Sequence, residues 1–232
     1  MGRVALSLRA ARTSGRMIAL VPGRPALNRC AWLLVSITAS AAAQVSATAT
    51  CDLAPERLRN GDIAVREQTS ASAHGIALRV CGEVGAPPAT VWSILRDCDR
   101  FDEFMPGVAE SRLTKREDNV VLCNEVIDLP FPLIDLESLT RVVEASFPDG
   151  GFERRWSLVR GSYQRLEGAW TILPATGTAE RSVVIYDVDM EPDTLIPDFL
   201  IRYAQSIAAP KVFNSVRERV RQCADDAACR RK

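Results

Sequence analysis

Ala86-Pro87-Pro88-Ala89-Thr90-Val91-Trp92-Ser93-Ile94-Leu95 and, after Arg96, Asp97-Cys98-Asp99-Arg100-Phe101-Asp102-Glu103-Phe104-Met105-Pro106-Gly107-Val108 decide how this chain folds. The paired prolines end whatever strand precedes them. Pro88 also suits the first turn of a helix, where its missing N–H is not needed. Val91, Trp92 and Leu95 then fall on one helical face. Asp97 to Met105 reads as a second short helix, stopped by Pro106-Gly107.

Before this pair of helices, Ile76-Ala-Leu-Arg-Val-Cys-Gly-Glu-Val84 alternates as a strand does. Residues 52–75 are polar and mixed, which predicts a short irregular or edge segment. Beyond the helices, strand patterns cover Val108–Arg116, Val120–Leu129, Leu136–Phe147, Phe152–Val159, Gln164–Leu173 and Arg181–Glu191. Turn residues separate most of them, among them Asp118-Asn119, Asp149-Gly150-Gly151 and Gly177, which predicts an antiparallel meander. A long helix closes the chain from about 196 to 222. Ile196, Phe199, Leu200, Tyr203 and Ile207 mark its apolar stripe, and Phe213, Val216 and Val220 continue it. Pro210 lies inside this span and predicts a kink or break there.

This order of elements is an α+β pattern. The two quoted stretches resemble the opening helices of the START/SRPBCC, or helix-grip, superfamily, and Leu166-Glu167-Gly168-Ala169-Trp170 resembles its glycine–tryptophan strand. The likeness runs from about Ile76 to Arg221 and is nearest to the polyketide cyclase/dehydrase or coenzyme-Q-binding branch. It implies a curved antiparallel sheet wrapped around a long C-terminal helix, with two short helices after the first strand. It also implies a cavity between sheet and helix that takes sterols, phospholipids, quinones, hormones or polyketides. The physics agrees: one helix covers a wide curved sheet imperfectly, and an apolar void takes an apolar molecule.

Candidate ligand-binding residues are Trp156, Gly168, Trp170 and Tyr186 on the last three strands and Phe199, Tyr203 and Ile207 on the helix. Leu166, Gly168, Trp170 and Ile172 share one strand parity, as do Val184, Tyr186, Val188 and Met190 on the next strand, so each set belongs to one face, expected to be the concave one. The simpler role for each aromatic is core packing. Gly168 in a strand invites close approach by another group, or marks a bend. Pro130-Phe131-Pro132-Leu133-Ile134 is an apolar loop suited to gating a cavity mouth or touching a membrane transiently; its simpler role is a rigid turn. Glu125, Arg141 and Arg155 test for an enzyme, because an inward Arg polarises a carbonyl and an inward Glu moves a proton. Their simpler role is an outer face. His74, the single histidine, reads as a solvated loop residue, so no nucleophile–base pair assembles and no catalytic residue is assigned. No cofactor and no metal site is expected, since neither a dinucleotide fingerprint nor a CxxC occurs.

The first residues read as targeting. Arg24 and Arg29 precede the uncharged apolar run Ala31 to Ala43, which ends in Ala41-Ala42-Ala43, the layout of a secretory signal peptide over 1–43. An arginine-rich organelle transit peptide is the rival reading, and Met17 is an alternative start. An N-terminal extension at 44–75, a START-like domain at 76–222 and a tail at 223–232 complete the expected organisation. Six arginines precede the first acidic residue, Asp52; cleavage after residue 43 leaves 23 basic against 29 acidic residues, a formal charge of −6. Such a domain is a poor nucleic-acid partner. Six cysteines follow the leader, and their even number in an exported chain suggests bridges. Cys223 and Cys229 are near enough in sequence to pair across a turn. The expected function is a periplasmic or secreted binding or carrier protein for a lipid, sterol, quinone or similar molecule. A cyclase or aromatase acting on a polyketide-like substrate and a ligand-free interaction module are the alternatives.

Overall fold

The computed structural model describes residues 51–131, 133–193, 197 and 207–225. The elements are α1 (Pro55–Arg59), β1 (Ile63–Gln68), β2 (Ile76–Val84), α2 (Pro88–Leu95), a short 3₁₀ helix (Cys98–Glu103), β3 (Val108–Glu117), β4 (Val120–Ile127), β5 (Leu136–Ser146), β6 (Phe152–Gly161), β7 (Tyr163–Pro174), β8 (Ser182–Pro192) and α3 (Ala209–Asp225). All eight strands form one sheet in the order β1-β2-β8-β7-β6-β5-β4-β3. Every neighbouring pair is antiparallel.

The topology explains the two helices in the middle of the chain. From β3 to β8 each strand turns back beside the last, but β2 lies next to β8 while β3 is the far edge. The segment between β2 and β3 must therefore cross the sheet. α2 and the 3₁₀ helix make that crossing, and their apolar side chains land on the sheet's inner face: Val91 and Leu95 are fully buried, and Trp92 stacks on Phe152 with centroids 5.1 Å apart.

α3 supplies the second cover. Phe213, Val216, Val220 and Cys223 are buried at spacings of three and four residues, so one stripe faces inward. Phe213 rests on Gly82 of β2; a Cβ there would lie 2.9 Å from Phe213 Cε1. The missing side chain is the notch that lets helix and strand approach.

Three expectations are refined. The mixed segment before Ile76 includes an ordered edge strand, β1, paired with β2 from Ile63↔Gly82 to Gln68↔Ala77. Pro210 stands just after a π-helical turn at 207–208, where the helical path changes to the α-helix α3, the irregularity expected at the proline. Ile207 precedes α3 and is 42% exposed, not inward. The wider π-helical turn at 207–208 puts Ile207 out of phase with the stripe that Phe213 continues. His74 is exposed, as read from the sequence.

Disulfides join Cys51 to Cys81 and Cys98 to Cys123. Cys223 is disulfide-bonded and buried at the end of α3; Cys229, its expected partner, lies outside the described residues. Among the described residues no helix is long and apolar enough to cross a membrane.

Candidate functional site

The inner face of the sheet, the crossing segment and the start of α3 border a cavity of about 930 Å³. Its walls are mainly apolar. Phe101 and Met105 come from the crossing segment, Leu166 from β7, Val188 and Met190 from β8, and Val212 from α3. Trp156, Trp170 and Tyr186 form one aromatic surface on it: Trp170 and Tyr186 have centroids 4.4 Å apart, and Trp156 stacks on Tyr186 at 5.9 Å. Register explains the cluster. Trp170 is paired with Tyr186 and Trp156 with Gly168, so alternation puts all three rings on the concave face.

Gly168 itself does not line the cavity among the described residues, because Trp156 lies over it. A Cβ at 168 would fall 2.2 Å from Trp156 Cζ2 and 2.3 Å from the Asp187 carbonyl oxygen. The close approach that the glycine permits is therefore made by an indole. Gly168→Ala is expected to push Trp156 off the strand and destabilise the domain by about 1–3 kcal/mol, the usual cost of overpacking. A urea melt followed by tryptophan fluorescence reads it; an unaltered emission spectrum and midpoint would show that the indole has room to yield. Phe199 and Tyr203 lie outside the described residues, and Ile207 is absent from the described lining.

One end of the cavity is polar. Glu125 on β4, Arg154 on β6, Tyr163 on β7 and Tyr186 on β8 converge there, with Ser138 and Thr140 on β5. Arg154 is 2% exposed. Its Nη1 donates to the Leu95 carbonyl oxygen, its Nη2 lies 2.9 Å from Cys123 Sγ, and its guanidinium sits over the Phe101 ring at 5.0 Å. Its Nε has no partner. Burial pushes the Arg154 pKa down to about 10, partly opposed by the charge of Glu125. Protein encloses the Glu125 carboxyl, and the surface it keeps faces the cavity. Burial raises its pKa, and Arg154 pulls it back only in part. Burial, and then the charge of Glu125, also hold the Tyr163 and Tyr186 phenols in their protonated forms.

Of the three charged candidates from the sequence, Glu125 points inward, while Arg141 and Arg155 are exposed on the outer face. Sequence reasoning missed Arg154 and Tyr163. Arg154 shares strand parity with Trp156, so the signal was present. Tyr163 was hidden by a register shift between Tyr163 and Arg165, which breaks the alternation along β7. The Cys98 and Cys123 sulfurs and the Glu125 carboxylate lie within 4.8 Å of one another, but the two sulfurs are bonded together and so are not free thiolate ligands.

Residues 84–217 match the family model described as polyketide cyclase/dehydrase and lipid transport. Among solved structures, a STAR-related lipid transfer protein fragment from Xanthomonas axonopodis is similar, with a TM-score of 0.61 and 23% identity over 69% of this chain and 94% of that one. Human StAR-related lipid transfer protein 5 gives 0.58 and 14%, over 72% and 85%. The Zhui aromatase/cyclase from Streptomyces sp. R1128 gives 0.52 and 16%, over 67% and 98%. No curated protein matches by sequence.

Proposed function

The chain belongs to the polyketide cyclase/dehydrase and lipid transport family of the START/SRPBCC superfamily, and from that premise we propose that it is an exported carrier for a hydrophobic small molecule such as a lipid, sterol or quinone. The observation that carries this reading is the cavity of about 930 Å³ with largely apolar walls. Moving an apolar molecule through water requires that its surface be shielded, and each buried CH₂ contributes roughly 0.8 kcal/mol. A cavity of this size also weighs against a ligand-free interaction module, for which a filled core was expected. The leader at 1–43, followed by a domain with disulfides Cys51–Cys81 and Cys98–Cys123, suits a periplasmic or secreted location. Native mass spectrometry of protein recovered from the periplasm, then delipidated and exposed to membrane extract, tests the carrier. The expected result is a noncovalent mass increment; a chain that stays empty would count against a carrier.

The loop after β4 is the surface for transient membrane contact. Phe131 is 97% exposed yet also borders the cavity, and Ile134 is 83% exposed. Two such side chains contribute roughly 1.5–3 kcal/mol each when buried in a bilayer. Replacing both with aspartate is expected to slow lipid transfer between vesicles about tenfold or more without lowering the melting temperature. Equal transfer by the variant would remove the loop from the pathway.

A second reading, a cyclase-type enzyme, draws on the inward cluster of Glu125, Arg154, Tyr163 and Tyr186. Such a cluster suits proton transfer at a carbon beside a polarised carbonyl. Under this reading Glu125→Gln abolishes conversion of a poly-β-ketone thioester mimic while the mimic still binds. Absence of turnover by the wild-type chain would leave the carrier alone.

A further inference from the structure

We infer that the cavity holds an amphiphile with a single terminal carboxylate, its head against Arg154 and its chain along the apolar walls. This rests on the carrier reading and narrows it. The groups in contact with the Arg154 guanidinium are neutral: the Leu95 carbonyl, the Cys123 sulfur and the Phe101 ring. Of the carboxylates whose charge reaches it, Glu125, Glu144 and Asp97, none forms an ion pair with it among the described residues, and Glu144 is already paired with Arg96 and Arg116. Among the same residues its Nε–H has no acceptor. Arginine keeps its charge in proteins, and a buried cation without a counter-charge is costly. A ligand anion removes that cost.

The surroundings define the anion further. Glu125 and Asp128 are the acidic side chains on the described lining. Asp128 belongs to the exposed loop, while Glu125 is enclosed and biased by burial toward its neutral acid. The Tyr163 and Tyr186 phenols add O–H donors to the polar end that the guanidinium charges. A planar carboxylate matches a guanidinium edge and accepts from several donors at once. The anion must also be terminal. Leu95, Phe101, Val142 and the Cys98–Cys123 bridge back the guanidinium, and Val142 and both sulfurs' residues are 2% exposed or less, so an anion that meets Arg154 comes up against closed apolar packing, which suits a terminal group better than a phosphate carrying a choline or glycerol. A sterol or quinone supplies no charge.

The test uses the delipidated mature chain and displacement of the neutral dye N-phenylnaphthylamine by palmitate, hexadecanol, methyl palmitate and lysophosphatidylcholine at neutral pH. Palmitate is expected to bind about tenfold more tightly than the alcohol or the ester, the effect of one charge-assisted hydrogen bond. Arg154→Met is expected to bring palmitate down to the level of hexadecanol. Since that variant loses contacts to Leu95 and Cys123 and is at risk of misfolding, the wild-type series stands as a test by itself. Equal affinity for acid, alcohol and ester overturns the inference, as does tighter binding of the phospholipid. A loss of palmitate affinity in Glu125→Gln would place the anchor on that carboxylate and overturn it too. Displacement by the alcohol without an acid preference sinks only this inference; failure of all four to displace the dye sinks the carrier reading with it.

Discussion

Phe213→Ala is expected to destabilise the domain by about 3–5 kcal/mol, the range for removing a large aromatic from a closed core. Phe213 is fully buried on α3 and is among the largest side chains so enclosed. It sits in the notch at Gly82, with the Arg217 guanidinium 4.9 Å from its ring centre. Neither side of that contact can close the hole easily. The strand is pinned between β1 and β8, and Gly82 has no side chain to swing into the space. Arg217 also donates through Nε to the Glu83 carbonyl oxygen and through Nη1 to that of Gly61, so loss of the ring loosens a second tie between α3 and the sheet. Urea unfolding should show a lower midpoint with an unchanged slope. A loss under about 1 kcal/mol would mean that α3 is not the clamp described above.

Removing the Cys98–Cys123 bridge, as Cys98→Ala with Cys123→Ala, is expected to cost about 3 kcal/mol. The bridge closes a loop with a sequence separation of 25 and ties the 3₁₀ helix to β4. Phe101 and Met105, carried by and just beyond that helix, are cavity walls, and Cys123 also holds Arg154 through Nη2. Loss of the bridge should therefore weaken ligand retention as well as stability. The other bridge, Cys51–Cys81, has a separation of 30 and a comparable entropic effect. Strand alternation puts Cys81 on the face opposite Val80 and Gly82, away from the cavity. Its removal should lower the melting temperature by a similar amount and spare ligand binding. Equal loss of binding in the two double variants would show that the effect is global, not a matter of the cavity wall.

Much of the fold was legible because its causes are local. The turn at Asp118-Asn119, where Asp118 takes φ 50°, bounds β3 and β4 where the sequence places them. The proline pair at 87–88 starts α2, and the stripe Phe213–Val216–Val220 marks the buried side of α3. Trp156, Trp170 and Tyr186 were legible as cavity residues for the same reason: a period of two assigns side chains to a face before any partner is known. What alternation cannot say is which stretch of that face remains uncovered once helices lie on it. Arg154 became a site residue because the end of α2 and the Phe101 ring close over its guanidinium beside the cavity, and Tyr163 because an irregularity in β7 turns it inward. Cysteine pairing was equally out of reach. Cys51 meets Cys81, and Cys98 meets Cys123, across Cα distances of 5.7 and 6.3 Å set by the path of the chain between them, not by their spacing. Sequence by itself determined the elements and their apolar faces, since those follow from the geometry of single helices and strands. Tertiary structure decided where a charge ends up buried with no ion-pair partner among the described residues, because burial is a property of the neighbours that the whole sheet brings together.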